Sequence, residues 1–386
     1  MIRAGQGLLL IAAALLCLGV VMVTSAGLSV GDTIVPSFSE IVTGRTVVLA
    51  VVAVAVMVMT SRLPLKWLGA APGGVPLPVV AIIAALIMVL LVYVPGLGHE
   101  VNGARRWLRA GPVGFQPSEL LKWASVFFIA FWVSRPAYDP TKFLRGFLVP
   151  IGIVALGCAA IAMEDLGTAM LIGVVALGVL YCAGCRLWHI LAIAPIGGAA
   201  MIGAIMAMPY RIARLQAFLD PFEHPQTIGY HIIQSMSSVS GGGLVGRGLG
   251  NSIQKFGYLP EDTTDFVFAI VCEELGVAGA VLVIGLYVAL LLTGVAILRQ
   301  SANRFHQAIT LGVILTIGLQ ASINMLVVTG MAPTKGIALP LLSAGGTGWL
   351  LTACVLGVLW AIDRHMPGGE SQAPCPPIPP SQIVTP

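Results

Sequence analysis

The chain has 386 residues, of which 58% are hydrophobic and only 9% are Asp, Glu, Lys or Arg, and its mean hydropathy is +0.97. Soluble domains carry roughly 25% charged residues, so this composition excludes a water-soluble enzyme and indicates a protein that folds in lipid. The net charge of +4 comes without any basic run interleaved with aromatic residues, which argues against a nucleic-acid partner.

Ten apolar segments follow one another along the chain, and a helix of about 20 such residues crosses a bilayer. They cover residues 7–28, 46–60, 77–95, 118–134, 144–163, 166–182, 188–208, 266–298, 305–330 and 347–362. The sequence therefore predicts an all-α, polytopic membrane protein with ten transmembrane helices.

The connections between these segments differ greatly in length. Residues 209–265 form one long polar stretch that contains glycine and proline. When that stretch is set aside, ten Lys and Arg lie on the side of the N-terminus and six on the other side, a bias typical of a cytoplasmic N-terminus. With ten spans both termini are then cytoplasmic, and 209–265 is a large extracytoplasmic loop between helices 7 and 8.

The C-terminal end differs in composition from the rest. Seven of the last twenty residues are proline, which is typical of a disordered or polyproline-like segment. We therefore divide the chain into a transmembrane domain, residues 1–365, and a Pro-rich cytoplasmic tail, residues 366–386. The tail is either inert or an adaptor-binding segment.

Residues 102–124 form the first charged stretch on the predicted outer side. Three arginines surround a tryptophan there: Arg105, Arg106, Arg109 and Trp107. Glu119 and Lys122 follow, three residues apart on one helical face. The residues either anchor the protein at the interface and form an intrahelical ion pair, or contact a ligand, since ionisable groups at membrane depth are costly.

Residues 240–276 form the second charged stretch. It opens with six glycines that permit a close approach to a ligand: Gly241, Gly242, Gly243, Gly246, Gly248 and Gly250. No G-K-[ST] follows, so this is not a Walker loop. Arg247 and Lys255 add positive charge suited to a phosphate-bearing ligand.

Five acidic residues lie around the start of the eighth apolar segment. Glu261, Asp262 and Asp265 precede it within five residues. One of them suffices to cap a helix, whereas three carboxylates at a lipid boundary repel one another and raise at least one pKa, which suits a general base. Glu273 and Glu274, two turns further, are expected to pair with a cation or to line a cavity.

Residues 330–349 form the third stretch. Pro333, Gly336 and Pro340 predict a broken, re-entrant backbone, which membrane proteins tolerate where it is buried in protein or lines a cavity. Lys335 lies within this segment. It is either a snorkelling lysine or a contact for an anion.

Five strings in the chain resemble, in order and spacing, the hallmark segments of the SEDS family (shape, elongation, division and sporulation), which includes FtsW, RodA and SpoVE. They are NGARRW, FQPSELLK, EDLGTA, GGGLVGRGLGNSIQKFGYLPEDTTDFVFAIVCEELG and PTKGIALPLLSAGG. The resemblance spans residues 7–365, and PTKG at 333–336 is similar to the division and sporulation branch.

The resemblance implies a ten-helix peptidoglycan glycosyltransferase that polymerises lipid II at the outer face of the bacterial cytoplasmic membrane. It also implies partners, namely a class B penicillin-binding protein, which is a transpeptidase, and other divisome proteins. The chain departs from the family pattern at PEDTTDF, where PEAHTDF is common, and at SAGGTG, where SYGGSS is common. These departures leave the aspartate of the T-D-F string intact but change the surroundings of the substrate.

The resemblance further implies residue roles. The essential aspartate of the family corresponds to Asp265, which we expect to take a proton from the GlcNAc 4-hydroxyl. A cationic clamp for the pyrophosphate is expected from Arg105, Arg106, Lys122, Arg247, Lys255 and Lys335. Further substrate contacts are expected from Trp107, Gln116, Ser118, Glu119, Ser343, Gly345 and Gly346. A divalent cation, Mg²⁺ or Mn²⁺, is expected at Glu261 and Asp262.

Two other functions are compatible with the sequence. Broken helices and intramembrane charges also fit a transporter that flips lipid II, although the charged motifs cluster on one face. A non-enzymatic scaffold that recruits division proteins is the third possibility.

Overall fold

The structure is a computed structural model that describes residues 3–27, 43–65, 68, 75–101, 104–110 and 113–366. Helices make up most of this part of the chain. Their bounds are α1 Ala4–Ala26, α2 Arg45–Thr60, α3 Leu77–Leu91, α4 Pro117–Ser134, α5 Val149–Ala162, α6 Leu166–Cys182, α7 Leu187–Met206, α8 Pro209–Leu219, α9 Tyr230–Gly241, α10 Val267–Gln300, α11 Arg304–Val328 and α12 Gly346–Arg364. A π-helical turn, Phe143–Leu148, leads directly into α5.

Helices lie on all ten of the apolar segments that the sequence marks out. Within the described part of the chain, six helical segments are long and apolar enough to cross a membrane: α1, Phe143–Ala162, α7, α10, α11 and α12. The helices α2, α3 and α6 are apolar but shorter. The predicted all-α, polytopic membrane fold is thus confirmed, whereas membrane crossing by all ten helices stays a prediction.

Side chains at the helix starts explain where two helices begin. Asp165 precedes α6, and its carboxylate accepts the backbone N–H of Thr168 at 3.1 Å. Asn303 precedes α11 and accepts the N–H of Phe305 at 2.8 Å. Each of these side chains satisfies a backbone donor that the first helical turn leaves without a partner.

Residues 98–115, which the sequence predicts as a connection, contain a three-stranded antiparallel sheet. Its strands are β1 Gly98–Val101, β2 Ala104–Ala110 and β3 Val113–Phe115. Trp107 of β2 pairs with His99 of β1, and Leu108 pairs with Phe115 of β3. Hydropathy does not reveal these strands, because backbone pairing rather than a long apolar run holds them together.

The helices pack around one continuous apolar core. The central contacts join α12 to α2, α1 to α10, and α11 to both α4 and α6. An added Cβ at Gly357 of α12 would overlap Thr60 Oγ1 and the carbonyl of Met57 on α2. Glycine therefore permits a helix approach that no larger residue allows.

The predicted long loop contains α8, α9 and the Gly-rich segment, and this segment docks onto α10. At the docking point Gly276 leaves the helical conformation, with φ 65° and ψ −159°. Four loop-to-helix backbone bonds replace those of the helix: Val277 to Gly243, Ala278 to Leu244, Arg247 to Glu273 and Gly248 to Glu274, donor first. The kink at Gly276 thus anchors the Gly-rich segment, which precedes Asp265 in the chain, on α10. The predicted tail lies outside the described residues from 367 onward.

Candidate active site

A cavity of about 530 Å³ lies where β2, the starts of α4 and α6, the turn before α10, and residues 336–349 meet. Among the described residues, seven ionisable side chains line it: Arg106, Glu119, Lys122, Asp165, Arg214, Glu261 and Asp265. In a chain with only 9% charged residues, such a concentration marks a functional site, because charge near lipid is costly.

Asp265 lies on a tight turn that ends two residues before α10. The carbonyl of Glu261 accepts the N–H groups of Thr264, Asp265 and Phe266 at 3.2, 3.0 and 3.1 Å. Glu261 itself has φ 58°, a left-handed conformation that costs a residue other than glycine about 1–2 kcal/mol. The turn places the side chain of Asp265 in the cavity wall.

The surroundings of Asp265 suit a proton acceptor. Burial raises its pKa to about 7, and the negative charges of Glu261 and Asp165 act in the same direction. The cations Arg106 and Arg214 act in the opposite direction. A carboxyl with a pKa near neutrality is ionised in a useful fraction at pH 7 and holds the proton that it takes.

Lys122 lines the cavity and belongs to a short network of side-chain hydrogen bonds. Its Nζ donates to both carboxylate oxygens of Glu119, at 2.9 and 2.8 Å, and to Oε1 of Gln320 at 2.9 Å. The exposed fraction of its side chain is 2%. The predicted Glu119–Lys122 pair on one face of α4 is confirmed, and Gln320 of α11 adds a third member.

Arg106 occupies the junction between two cavities. A second cavity, of about 270 Å³, shares Arg106, Asp165, Arg214 and Gly336 with the first. The Nε of Arg106 is buried and, in the described part of the protein, has no hydrogen-bond partner. A buried donor of this kind is costly unless a ligand satisfies it, so its position fits recognition of an anion.

Lys335 lines the second cavity rather than the first. Its Nζ lies 3.2 Å from Sδ of Met170, and burial lowers its pKa, whereas Asp165 acts to raise it. A half-buried ammonium with a thioether as neighbour is available to an anion in that cavity.

Nine of the predicted site residues line the main cavity, namely Arg106, Trp107, Gln116, Glu119, Lys122, Glu261, Asp265, Ser343 and Gly345. The structure brings them together from four separate parts of the chain. Ser343 has a further task, because its Oγ accepts the N–H of Leu339 at 2.8 Å and its carbonyl accepts Nε1 of Trp349 at 2.6 Å. It thus closes the turn beside Gly345.

Seven predicted residues are not in the lining of the main cavity: Arg105, Ser118, Arg247, Lys255, Asp262, Lys335 and Gly346. Arg105 is exposed and pairs with Glu100 at 3.5 Å, while its backbone N–H donates to Glu164 at 2.9 Å. Ser118 is buried next to Arg105, at a small pocket behind the sheet. Gly346 is the first residue of α12.

Arg247 and Lys255 serve the docked Gly-rich segment. Arg247 pairs with Glu273 at 3.3 Å, and Lys255 pairs with Glu274 at 3.5 Å. The expectation that Glu273 and Glu274 pair with cations is confirmed. Of the six cations predicted for the clamp, Arg106 and Lys122 line the main cavity, and Lys335 lines the second.

Of the two residues predicted to hold a divalent cation, Glu261 lines the main cavity, whereas Asp262 is not in its lining. Burial raises the pKa of Asp262 to about 6. The described residues contain no group of three or more His, Cys, Asp or Glu that could hold a metal. Mg²⁺ commonly uses one or two carboxylates together with substrate phosphates, so this donor set fits Mg²⁺ bound with a pyrophosphate.

Among the cavity residues that sequence reasoning missed, three carry a charge or a side-chain amide, namely Asp165, Arg214 and Gln320. Asp165 belongs to EDLGTA, and its position before an apolar run marks it as a helix cap rather than as part of a site. Arg214 lies on the amphipathic helix α8, where a surface charge is ordinary. Gln320 lies within an apolar span, and a polar residue there is the one signal that could have found it.

Comparison with known proteins decides the family. A family model named FTSW_RODA_SPOVE and described as a cell cycle protein matches residues 6–367. The chain belongs to this family. The resemblance of the five strings to FtsW, RodA and SpoVE is thus confirmed.

Relatives of the FtsW/RodA/SpoVE family cover most of the chain. The "Probable peptidoglycan glycosyltransferase FtsW" of Nitrosococcus halophilus is 40% identical over 289 residues, which cover 74% of each chain. The "Stage V sporulation protein E" of Bacillus subtilis is 39% identical over 284 residues, or 73% of this chain and 78% of the relative. The "Probable peptidoglycan glycosyltransferase FtsW" of Geobacter metallireducens is 35% identical over 363 residues, or 94% and 95%.

Solved structures of the family have a similar fold. A chain from a study entitled "Structural coordination of polymerization and crosslinking by a peptidoglycan synthase complex" matches with a TM-score of 0.73 and 25% identity, covering 93% of this chain and 97% of that chain. The rod shape determining protein RodA of Thermus thermophilus matches with a TM-score of 0.66 and 24% identity, covering 93% and 96%.

Proposed function

We propose that this chain polymerises lipid II into glycan strands with Asp265 as the general base. The activity class is that of its family relatives: the chain is a peptidoglycan glycosyltransferase of cell division. One observation carries the assignment of the site, namely that Asp265 and Arg106 line a single cavity, while the buried Nε of Arg106 has no hydrogen-bond partner among the described residues. A proton acceptor and an anion-binding group are the two parts that the reaction needs.

The reaction joins two lipid-linked sugars. The 4-hydroxyl oxygen of the acceptor GlcNAc attacks C1 of the donor MurNAc, and the bond from C1 to the pyrophosphate oxygen breaks. Asp265 takes the hydroxyl proton, and undecaprenyl pyrophosphate leaves with the bonding electrons. The raised pKa of Asp265, about 7, makes the carboxylate basic enough to accept this proton.

Negative charge develops on the leaving pyrophosphate, and fixed cations stabilise it. Arg106 presents its buried Nε at the junction of the two cavities. Lys122 is held in place by Glu119 and Gln320, so it needs no rearrangement during the reaction. Lys335 adds a cation in the second cavity.

Glu261 is the predicted metal residue that lines the cavity, and it would hold Mg²⁺ or Mn²⁺ together with the phosphates of the substrate. When bound, such an ion neutralises charge on a pyrophosphate. Removal of the ion tests this proposal, as set out in the Discussion.

The topology and the partners are further parts of the proposal. Ten helices cross the cytoplasmic membrane, both termini are cytoplasmic, and residues 209–265 lie outside. A class B penicillin-binding protein crosslinks the strands that this chain makes, and other divisome proteins are further partners. The similarity to a chain of a peptidoglycan synthase complex supports a transpeptidase partner.

Purified protein with lipid II tests the role of the base. We expect Asp265→Asn to lower the rate of polymer formation by about 10²-fold or more, which is typical of a lost general base. Asp220→Asn is the matched control, because Asp220 is exposed on the same loop and accepts the N–H groups of Phe222 and Glu223. Polymer synthesis by Asp265→Asn at the rate of the control would exclude Asp265 as the base.

Vesicles and cells separate polymerisation from lipid II flipping and from a scaffold role. Lipid II offered only on the outer leaflet of vesicles yields glycan chains if the protein is a polymerase. Lipid II that is offered on the inner leaflet and moves outward without polymer would indicate a transporter. Cells that still grow when every outer carboxylate of the chain is neutralised would indicate a scaffold.

A further inference from the structure

Asn324 of α11 joins the two segments that form the reactive part of the cavity. Its Nδ2 donates to the carbonyl of Asp265 at 2.7 Å and to the carbonyl of Ile337 at 2.7 Å. The side-chain amide has two N–H groups, so each bond uses one of them. A single amide group thus bridges the turn before α10 and the segment after α11, next to a backbone bond from the N–H of Ala344 to the carbonyl of Thr263 at 2.9 Å.

With the carbonyls of Asp265 and Ile337 bonded to one amide, the carboxylate of Asp265 lies against Gly336. A Cβ added to Gly336 would lie 2.9 Å from Oδ2 of Asp265, a contact too close for two unbonded atoms. The carboxylate therefore rests on the bare backbone of Gly336. Its place depends on the separation of the two segments, and Asn324 bridges them at the two residues next to this contact, Asp265 and Ile337.

A second amide repeats this arrangement one helical turn earlier. Gln320 donates through Nε2 to the carbonyl of Ala338 at 2.8 Å and accepts from Lys122 through Oε1 at 2.9 Å. Residues four apart project from the same face of a helix, so Gln320 and Asn324 hold adjacent carbonyls of one segment. Both side chains are buried, with exposed fractions of 7% and 1%.

We infer that Asn324 is a positioning residue for the glycosyl transfer, because it fixes the Asp265 carboxylate against the backbone of residues 336–337. This inference rests on the proposed role of Asp265 as the base. Asn324 touches no reacting atom in this account. Its side-chain amide positions the carboxylate of Asp265, which accepts the proton. The side-chain amide of Gln320 positions the ammonium of Lys122.

Steady-state kinetics of purified Asn324→Ala test the inference. We expect kcat to fall about ten-fold or more while KM for lipid II stays within about two-fold, because a base displaced by a fraction of an ångström loses rate rather than substrate affinity. Thr316→Val is the control, since Thr316 Oγ1 only donates to Gly312 within α11.

A second variant keeps the test decisive if Asn324→Ala does not fold. Gly336→Ala adds the Cβ that meets Asp265, so it should lower kcat more than it changes KM. The double variant should lose less than the product of the two single losses, since both changes act on one contact. Wild-type kcat in either folded single variant would overturn the inference. Activity of Asp265→Asn would overturn the base itself, and the two failures are thus distinguishable.

Discussion

The ammonium of Lys255 and the carboxylate of Glu274 lie 3.5 Å apart, and their side chains are only 1% and 0% exposed. Ser25 of α1 donates to the same carboxylate at 2.8 Å, and Lys255 also donates to the carbonyl of Gly250 at 2.7 Å. This ion pair therefore fastens the Gly-rich segment to both α10 and α1.

Loss of one partner of this pair should destabilise the fold. We expect Glu274→Gln to lower the free energy of unfolding by about 3–5 kcal/mol, because an unpaired ammonium remains buried. Thermal unfolding in detergent measures the change, and Glu223→Gln, at an exposed position, provides the control. Equal unfolding temperatures for the two variants would show that the pair does not fasten the segment.

The rate of polymerisation should rise with pH through about 7. Asp265 must be ionised to accept a proton, and burial raises its pKa to about 7, so activity is lost as the pH falls below that value. Glu261→Gln removes the second cause of the raised pKa and should move the midpoint to lower pH. The measurement is kcat as a function of pH, and a wild-type midpoint near 4 would contradict the assignment.

Arg106 should matter far more than its neighbour Arg109 on the same strand. We expect Arg106→Ala to lower kcat by about 10²-fold, as is typical when a donor to developing negative charge is removed. Arg109 is exposed and lies outside the cavity lining, so Arg109→Ala should keep most of the activity. Similar rates for the two alanine variants would argue against an anion site at the junction.

Chelation tests the divalent cation. We expect EDTA to reduce polymerisation about ten-fold or more, since the ion would neutralise pyrophosphate charge, and Mg²⁺ or Mn²⁺ to restore it. Thermal unfolding in the same buffers distinguishes loss of activity from loss of fold. A full rate in EDTA, with the metal content verified as nil, would remove the ion from the proposal.

Most of the helical architecture could be predicted from the sequence, because a long apolar run in a membrane protein has few other solutions. The sheet could not, since its strands are only three to seven residues long and depend on pairing between separate segments. Asp265, Lys122 and Arg106 were predictable because charge near lipid stands out against an apolar background. Asn324 was not, since its importance comes from two carbonyls that lie 59 and 13 residues away in sequence.

The assignment of Arg247 and Lys255 to the substrate clamp shows where residue type alone misleads. Both cations follow glycines, a pattern typical of phosphate-binding loops. The structure pairs them with Glu273 and Glu274 instead. A stretch with two cations and five carboxylates is as compatible with ion pairs inside the protein as with a ligand, and only the fold distinguishes the two.

The wall that the two cavities have in common has a consequence for antibacterial compounds. Arg106, Asp165, Arg214 and Gly336 border both spaces, so an anionic inhibitor shaped to occupy the two together would engage the guanidinium on which catalysis is proposed to depend. Resistance through replacement of Arg106 would then weaken cell-wall synthesis in the same step, which leaves the bacterium few routes of escape at that position.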